Sequence, residues 1–326
     1  MNKPCLLALL TLLSLCSVIS ARDKNKKVPP PTWKEKAAAR FGDTPHPDQK
    51  AKIDAALPTA TVQPKKDHKI LVFWRCEGFI HTSIPFGNYA IEEIAKTSKV
   101  FSVDLADSYD VFTAKNLTQY DAILFNSTTH LTPNQEQRRA ILDFVKGGKG
   151  IIGFHAAADN FGGWDDGIAM IGGIFNGHPW TAGGKWAFKL DDPDHPLNAA
   201  FKGKGFWHTD EIYWYKPESF QGREKLRVLL SLDMSKEKNI KQLENGRYKD
   251  KFKGAAKEVD VPVSWIHEVG KGRVFFTNLG HRDDTFWNPV VLQHMLDGIQ
   301  YALGDLKADA TPSAALHQKP ALAPAE

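Results

Sequence analysis

Apolar and polar positions follow a regular strand and helix rhythm along the first half of the chain. Apolar residues at helical spacing cover Ser83–Thr97 and again 132–146, where Thr132 is the predicted cap and Gly147 the stop. Short apolar runs before, between and after these helices start at Lys69, Val100, Tyr120 and Gly150. This order predicts an α/β fold with a mainly parallel sheet flanked by helices.

The second half of the chain is less regular and predicts loop insertions. Trp186–Leu190 and Arg227–Leu232 read as strands, and residues 262–277 as a β-hairpin. Lys236–Glu258 is rich in lysine and poor in apolar residues, which predicts a solvated loop. Asn288–Leu303 has the spacing of an amphipathic helix that closes a domain over residues 67–305.

The two ends of the chain differ from this central part. Met1–Ala21 combines a basic residue, an apolar stretch and small residues, which predicts a signal peptide and a secreted or periplasmic protein. A lipid anchor at Cys16 is the less favoured alternative, because a leucine directly before a lipidated cysteine is unfavourable. Residues 22–66 predict a Pro/Lys-rich linker or surface arm, and residues 306–326 a disordered Ala/Pro-rich tail.

Charge and cysteine content narrow the class of protein. The net charge of +4, with lysines scattered among carboxylates, gives no reason to expect a nucleic-acid partner. After Ala21 no further apolar segment is long enough for a stable membrane span. Only Cys76 remains after removal of the signal peptide, so an internal disulfide is not expected.

Histidines follow three predicted strands and are the candidate chemistry of the chain. His81, His155 and His281 each come shortly after a strand, and carboxyl ends of parallel strands share one edge of a sheet. With His178 and Glu211, these side chains could divide proton transfer between a base and an acid. His155, His178, His281 and Glu211 could instead bind a divalent metal, the only cofactor that the sequence suggests, but their long-range spacing makes this signal weak. Neither choice follows from spacing alone.

Further residues near these motifs are candidate substrate contacts. His81 would complete the rim, and Asp210 could contact a polar substrate or form a salt-bridged turn. Trp180 and Trp207 could stack on sugar rings or pack in the core. The chain has neither the Gly-x-Ser-x-Gly motif of serine hydrolases nor a dinucleotide-binding fingerprint after the first strand.

Several ordered motifs together resemble the trehalose-utilisation ThuA-like family, whose fold is related to class I glutamine amidotransferases. They are Gly78-Phe79-Ile80-His81, Gly153-Phe154-His155-Ala156-Ala157, Gly172-Gly173-Ile174-Phe175, His178-Pro179, Asp194-His195-Pro196, Asp210-Glu211-Ile212-Tyr213, Pro262-Val263-Ser264-Trp265, Gly270–Phe275 and Leu279-Gly280-His281. The resemblance implies a flavodoxin-like sheet in which His155 replaces the nucleophilic cysteine of the amidotransferases, so hydrolysis of glutamine through a thiolate is not expected.

The resemblance also implies a small carbohydrate substrate, in particular an oxidised 3-keto-glycoside. A 3-keto group acidifies the adjacent C–H, so that a general base can remove the proton and the glycosidic oxygen can leave. We therefore expect a lyase, hydratase or hydrolase with His155 as base or metal ligand and Glu211 as its partner. His178 and His281 would stabilise the enolate or bind metal. The alternatives are a non-catalytic carbohydrate-binding protein and a metal-dependent hydrolase of another small substrate. Oligomeric state is left open.

Overall fold

The computed structural model describes residues 30–326, in which short runs of β-branched and aromatic residues form nine strands of one sheet. The strands are β1 (His68–Phe73), β2 (Phe101–Ala106), β3 (Ala122–Asn126), β4 (Gly150–Phe154), β5 (Lys185–Leu190), β6 (Phe206–Thr209), β7 (Arg227–Leu232), β8 (Pro262–Val269) and β9 (Gly272–Thr277). The α-helices are α1 (Trp33–Phe41), α2 (Pro47–Ala55), α3 (Ile84–Ser98), α4 (Ala114–Leu117), α5 (Gln135–Lys146), α6 (Asp165–Ile171), α7 (Gly222–Lys225), α8 (Glu237–Asn245) and α9 (Pro289–Leu303).

The sheet is mixed, with the strand order β2-β1-β3-β4-β9-β8-β7-β5-β6. The first five strands in this order are parallel, and the remaining pairs are antiparallel. The α/β class is therefore confirmed, whereas a mainly parallel sheet describes only one half of it. The predicted hairpin, β8 and β9, joins the two halves, because β9 also pairs in parallel with β4.

Helices cover both faces of the parallel half, as the apolar strands require. Successive residues of a strand point to opposite faces, so that Ile70 and Val72 join one core and Leu71 and Phe73 the other. Helices α3 and α9 pack on the first face, and α5 and α6 on the second. The predicted helices are present, but α5 begins two residues later than a Thr132 cap implies, because Asn134 forms the capping box with Gln137.

The segment before the sheet packs on the domain. Residues 33–66 contain α1 and α2, and Trp33 and Ile53 of these helices are buried. Trp33 donates a hydrogen bond from Nε1 to Asp107 at 3.1 Å, and Thr61 donates one to Asp297 at 2.5 Å. The described part of this segment is thus an arm along the surface. The predicted signal peptide, Met1–Ala21, lies outside the described residues.

Two segments are more ordered than composition suggested. Within Lys236–Glu258, predicted to be a loop, α8 forms because Ile240 and Leu243 lie on one helical face and are buried. Residues 306–326, predicted to be disordered, run along the antiparallel half of the sheet. There Ala321 pairs with Leu190 of β5, because β6 pairs only with Lys185–Phe188 and leaves Leu190 without a partner on that side. Within residues 30–326, no helix is both long and apolar enough for a bilayer.

Candidate functional site

His155 lies at the sharp turn that ends β4. Its backbone has the left-handed φ of 45°, and its side chain is completely buried. The backbone of β4 at Gly153 packs closely against Phe276 of β9, because a Cβ at Gly153 would lie 2.9 Å from the Phe276 ring. The Nδ1 of His155 lies 2.8 Å from the carbonyl oxygen of Asn278 and so donates a proton to it. This hydrogen bond leaves Nε2 with its lone pair directed into the site.

His281 reaches the same point from the loop after β9. Gly280 before it adopts a φ of 126°, which a side chain would strain, and so turns the chain toward β4. The Nδ1 of His281 lies 3.1 Å from Nε2 of His155. Neighbouring parallel strands thus bring together two histidines that are 126 positions apart in the sequence.

Glu211 follows β6 and lies between two imidazoles. Its Oε1 is 3.2 Å from Nδ1 of His281 and 3.9 Å from Nε2 of His155. Its Oε2 is 3.1 Å from Nδ1 of His178, although these two atoms are not aligned for a hydrogen bond. The other three predicted catalytic residues, His155, His178 and His281, therefore surround the carboxylate of Glu211. On the other side of His178, Arg247 approaches Nε2 at 3.3 Å.

His81 comes from the loop after β1 and closes the group from the arm side. Its ring packs edge-on against His155 and His281, with ring centroids 4.8 and 5.1 Å away. The residue is 3% exposed, and its Nδ1 has no hydrogen-bond partner. Such an orphaned buried nitrogen is costly and requires an explanation.

One set of side chains has the composition and spacing of a metal site. His81, His155, Glu211 and His281 each offer one ligand atom, and these atoms all lie within 4.8 Å of one another. His178, a predicted ligand, lies outside this set on the second oxygen of Glu211, whereas His81, predicted to contact substrate, lies within it.

Burial separates the protonation behaviour of the three central histidines. Desolvation lowers the pKa of His81 to about 3 and that of His155 well below its usual range. Burial also acts to lower the pKa of His281, but the adjacent Glu211 carboxylate outweighs it and raises that pKa. The two most buried imidazoles are therefore neutral, which is the form that accepts a proton or binds a metal.

The site opens to solvent beside His281. A cavity of about 340 Å³ is lined by this histidine together with Thr82, Asp283 and Trp287. His155 is closed off from this cleft, whereas the side chains of His281 and His178 are 22% and 32% exposed. A substrate in the cleft would meet His281 before His155.

Asp210, a predicted substrate contact, lies in the interior of the protein. It is completely buried, and its oxygens accept hydrogen bonds from the backbone N–H groups of Glu211, Gly280 and Arg282 at 2.9, 2.8 and 3.2 Å. Thr285 donates a further one at 3.0 Å. The contacts of Asp210 therefore hold the loop that carries His281.

The two predicted stacking tryptophans do not face the histidines. Trp180 is fully buried and donates from Nε1 to the carbonyl of Asn239, so it packs in the core. Trp207 lines a separate cavity of about 660 Å³ with lysines around α8 and none of the clustered histidines. A tryptophan near a polar motif in sequence does not reveal which side of a strand it occupies.

Phe79 and Arg40 border the site and were not predicted. Phe79 is 57% exposed, and its ring centroid lies 4.8 Å from that of His81. Arg40 of α1 lies over the Phe79 ring at 5.5 Å and donates from Nε to the carbonyl of Ile80 at 3.0 Å. Phe79 lies within a recognised motif, but nothing in the sequence pattern pairs it with Arg40.

Comparisons with known proteins agree with this architecture. Two solved structures, each a ThuA-like protein, share it. The one from Bacteroides uniformis ATCC 8492 has a TM-score of 0.57 and 21% identity, covering 74% of this chain and 92% of that protein. The one from Parabacteroides merdae ATCC 43184 has a TM-score of 0.53 and 16% identity, covering 75% and 93%. At these identities the likeness concerns the fold alone.

The sequence itself carries the family assignment. A search of curated proteins finds no match. The profile of the ThuA family, described as trehalose utilisation, matches residues 69–302, which include every clustered histidine and Glu211. Because this match spans well over half of the chain, the protein belongs to the ThuA family.

Proposed function

We propose that the protein is a secreted or periplasmic enzyme of carbohydrate metabolism that cleaves or hydrates 3-keto-glycosides. The observation that carries the proposal is a carboxylate, Glu211, held between His178 and His281, of which His281 lines an open cleft. The family description, trehalose utilisation, supports a sugar as substrate. The predicted signal peptide supports the location, with a lipid anchor at Cys16 as the alternative.

Burial assigns the roles within this proposal. His155 is closed off from solvent, so we give it a binding and positioning role rather than that of the base. The Glu211 carboxylate lies 3.1 Å from Nδ1 of His178 and favours the protonated form of that imidazole, whose partly exposed ring removes the proton from the carbon next to the keto group. His281, which lines the cleft, faces the oxygen on which the enolate charge develops.

The chemistry is an elimination in which the atoms balance. His178 takes the C2 proton, and the electron pair moves onto the 3-keto oxygen as an enolate. When the enolate collapses, a C1–C2 double bond forms, the C1–O bond breaks, and the departing oxygen takes the proton back from His178. Addition of water to the double bond by the reverse route gives the hydrated sugar.

Phe79 replaces the tryptophans as the proposed sugar contact. An exposed aromatic ring beside His81 of the cluster can cover the apolar face of a pyranose. In the same proposal, the parallel half of the sheet, ordered β2-β1-β3-β4-β9, corresponds to a flavodoxin-like sheet with β9 as its fifth strand.

Solvent exchange tests proton removal directly. The protein is incubated with 3-keto-trehalose in D₂O, and loss of the C2 proton signal and release of glucose are followed by NMR. Glu211→Gln and His178→Ala should each slow exchange on the order of 100-fold. His317→Ala, at an exposed histidine of the C-terminal segment, is the control and should be unaffected.

Each alternative function predicts a different result. Binding of the keto-sugar without exchange or cleavage would refute the enzyme and favour a carbohydrate-binding protein. Turnover of small esters or amides, with no reaction of the keto-sugar, would instead favour a metal-dependent hydrolase.

A further inference from the structure

We infer that His81, His155, His281 and Glu211 bind one divalent transition-metal ion. The four side chains come from four separate loops and present their ligand atoms within 4.8 Å of one another. The role of the ion in turnover rests on the function proposed above, whereas its binding does not.

Hydrogen bonding within the cluster leaves more lone pairs than protons. The only ring proton of neutral His155 is on Nδ1, because that atom lies 2.8 Å from the carbonyl of Asn278. Its Nε2 lone pair therefore points at Nδ1 of His281, which also faces Oε1 of Glu211. One proton on His281 cannot serve both neighbours at full strength. A cation between the three atoms satisfies them all.

Three of the separations between ligand atoms are close to those of a tetrahedral site. Ligand bonds of about 2.0–2.1 Å place neighbouring ligand atoms about 3.3–3.4 Å apart in a tetrahedral site. The three measured separations, between His155 and His281, His281 and Glu211, and His155 and Glu211, are 3.1, 3.2 and 3.9 Å. These three atoms already form one face of such a site.

His81 is the independent observation that points to a ligand. It is 3% exposed, and its Nδ1 is buried without a partner although both neighbouring rings are imidazoles. A buried neutral imidazole that gives up hydrogen bonds is unfavourable unless something occupies the space it faces. A metal ion provides the missing partner and makes His81 the fourth ligand.

The surroundings fix these ligands as metal sites require. The carbonyl of Asn278 sets the tautomer of His155, and Asp210 holds the backbone on both sides of His281. Three imidazoles and a carboxylate favour zinc and its first-row neighbours over magnesium or calcium, which prefer all-oxygen sites. Because His281 also lines the cleft, an ion held there would supply Lewis-acid polarisation of a substrate carbonyl.

Metal binding is tested without any substrate. The purified protein is stripped with a chelator, dialysed and titrated with Zn²⁺ by competition against a chromophoric chelator. Co²⁺ absorption then reports the coordination number. We expect one ion per chain and the intense visible bands of tetrahedral cobalt. His81→Ala and His155→Ala should weaken zinc binding by about 1,000-fold or more, since each removes a ligand.

His178→Ala distinguishes the inferred ligand set, which contains His81, from the set predicted from the sequence, which contains His178. Among the four proposed ligands, the structure places His178 next to the second oxygen of Glu211, so its loss should weaken zinc binding only within the roughly 10–100-fold range of a residue that contacts a ligand. The exposed His317→Ala should change nothing, and circular dichroism of each metal-free variant shows whether it is folded. If a folded variant does not bind, His155→Gln, which preserves volume, repeats the test.

Several results would overturn the inference. One is a wild type that binds zinc no more tightly than folded His81→Ala; another is a greater loss in His178→Ala than in His81→Ala. Zinc binding without keto-sugar turnover leaves the metal site standing and refutes the proposed function. Turnover that survives complete removal of metal, together with no specific zinc binding, refutes the metal site and leaves the proposed function standing.

Discussion

Replacing Asp210 by alanine should destabilise the protein and disorganise the site without removing any group that faces the cleft. The side chain is fully buried and accepts hydrogen bonds from Glu211 N, Gly280 N and Arg282 N. Alanine leaves these three N–H groups without their acceptor in the interior. Thr285 also loses its acceptor but can rotate its hydroxyl toward another one.

The expected loss of stability follows from these contacts. A buried donor left unpaired costs about 1–3 kcal/mol, which for three backbone groups gives about 3–9 kcal/mol. Burial raises the pKa of Asp210, so removing the carboxylate also relieves a desolvation cost, and we expect the lower end, about 3 kcal/mol. Urea unfolding followed by circular dichroism measures this difference. Asp284→Ala in the same loop removes an exposed ion pair and should cost under about 1 kcal/mol.

The result also decides between two roles for Asp210. A contact with substrate predicts a raised KM with unfolding unchanged, because the carboxylate would then face the cleft. A positioning role predicts lower stability, weaker zinc binding and a loss of kcat together. Unfolding of Asp210→Ala that matches wild type within 1 kcal/mol would refute the positioning argument.

Three further predictions concern other parts of the molecule. Burial raises the pKa of Asp297 to about 6, so folding takes up a proton between about pH 4 and 6 and stability falls as pH rises through that window. The stability of Asp297→Asn should not fall with pH in this way, so that by pH 7 its free energy of unfolding exceeds that of wild type by up to about 3 kcal/mol. Urea unfolding at each pH measures this difference, and parallel pH profiles of stability for the two proteins would contradict the prediction. Phe79→Ala should raise the KM for the keto-sugar on the order of tenfold with little change in the free energy of unfolding. The control, Leu322→Ala at another exposed apolar residue, should leave both quantities unchanged. An unaltered KM in Phe79→Ala would exclude the stacking contact. Gly280→Ala should cost about 1–3 kcal/mol and weaken zinc binding, because its φ of 126° is unfavourable for alanine. Wild-type zinc affinity in that variant would show that the turn does not position His281.

The convergence of the histidines could be predicted because it depends on topology. Parallel strands place their carboxyl ends at one edge, and β1, β4 and β9 each precede a histidine of the cluster. Only the apolar runs and the order of elements are needed for this argument. The same reasoning could not show that β5 to β8 pair antiparallel, since a short apolar run carries no direction.

The sequence could not predict that His81 lies within the set of potential metal ligands and His178 outside it. Both lie in irregular loops, and a loop's path depends on long-range contacts that sequence spacing does not contain. Arg247 illustrates the point, because it reaches His178 from a segment predicted to be solvated. In the same segment, α8 buries Ile240 and Leu243, but two apolar residues among many lysines are too weak a pattern to predict a helix.

The separation of the cluster along the chain has a consequence for folding. His155 and His281 become neighbours only when β4 pairs with β9, across a closure of 126 positions. Contacts of such long range form slowly, because closing the intervening chain costs conformational entropy before the new contacts stabilise the fold. The cluster should therefore assemble late, after the local helices and the first three strands. In a refolding experiment, recovery of the histidine cluster would report completion of the whole fold.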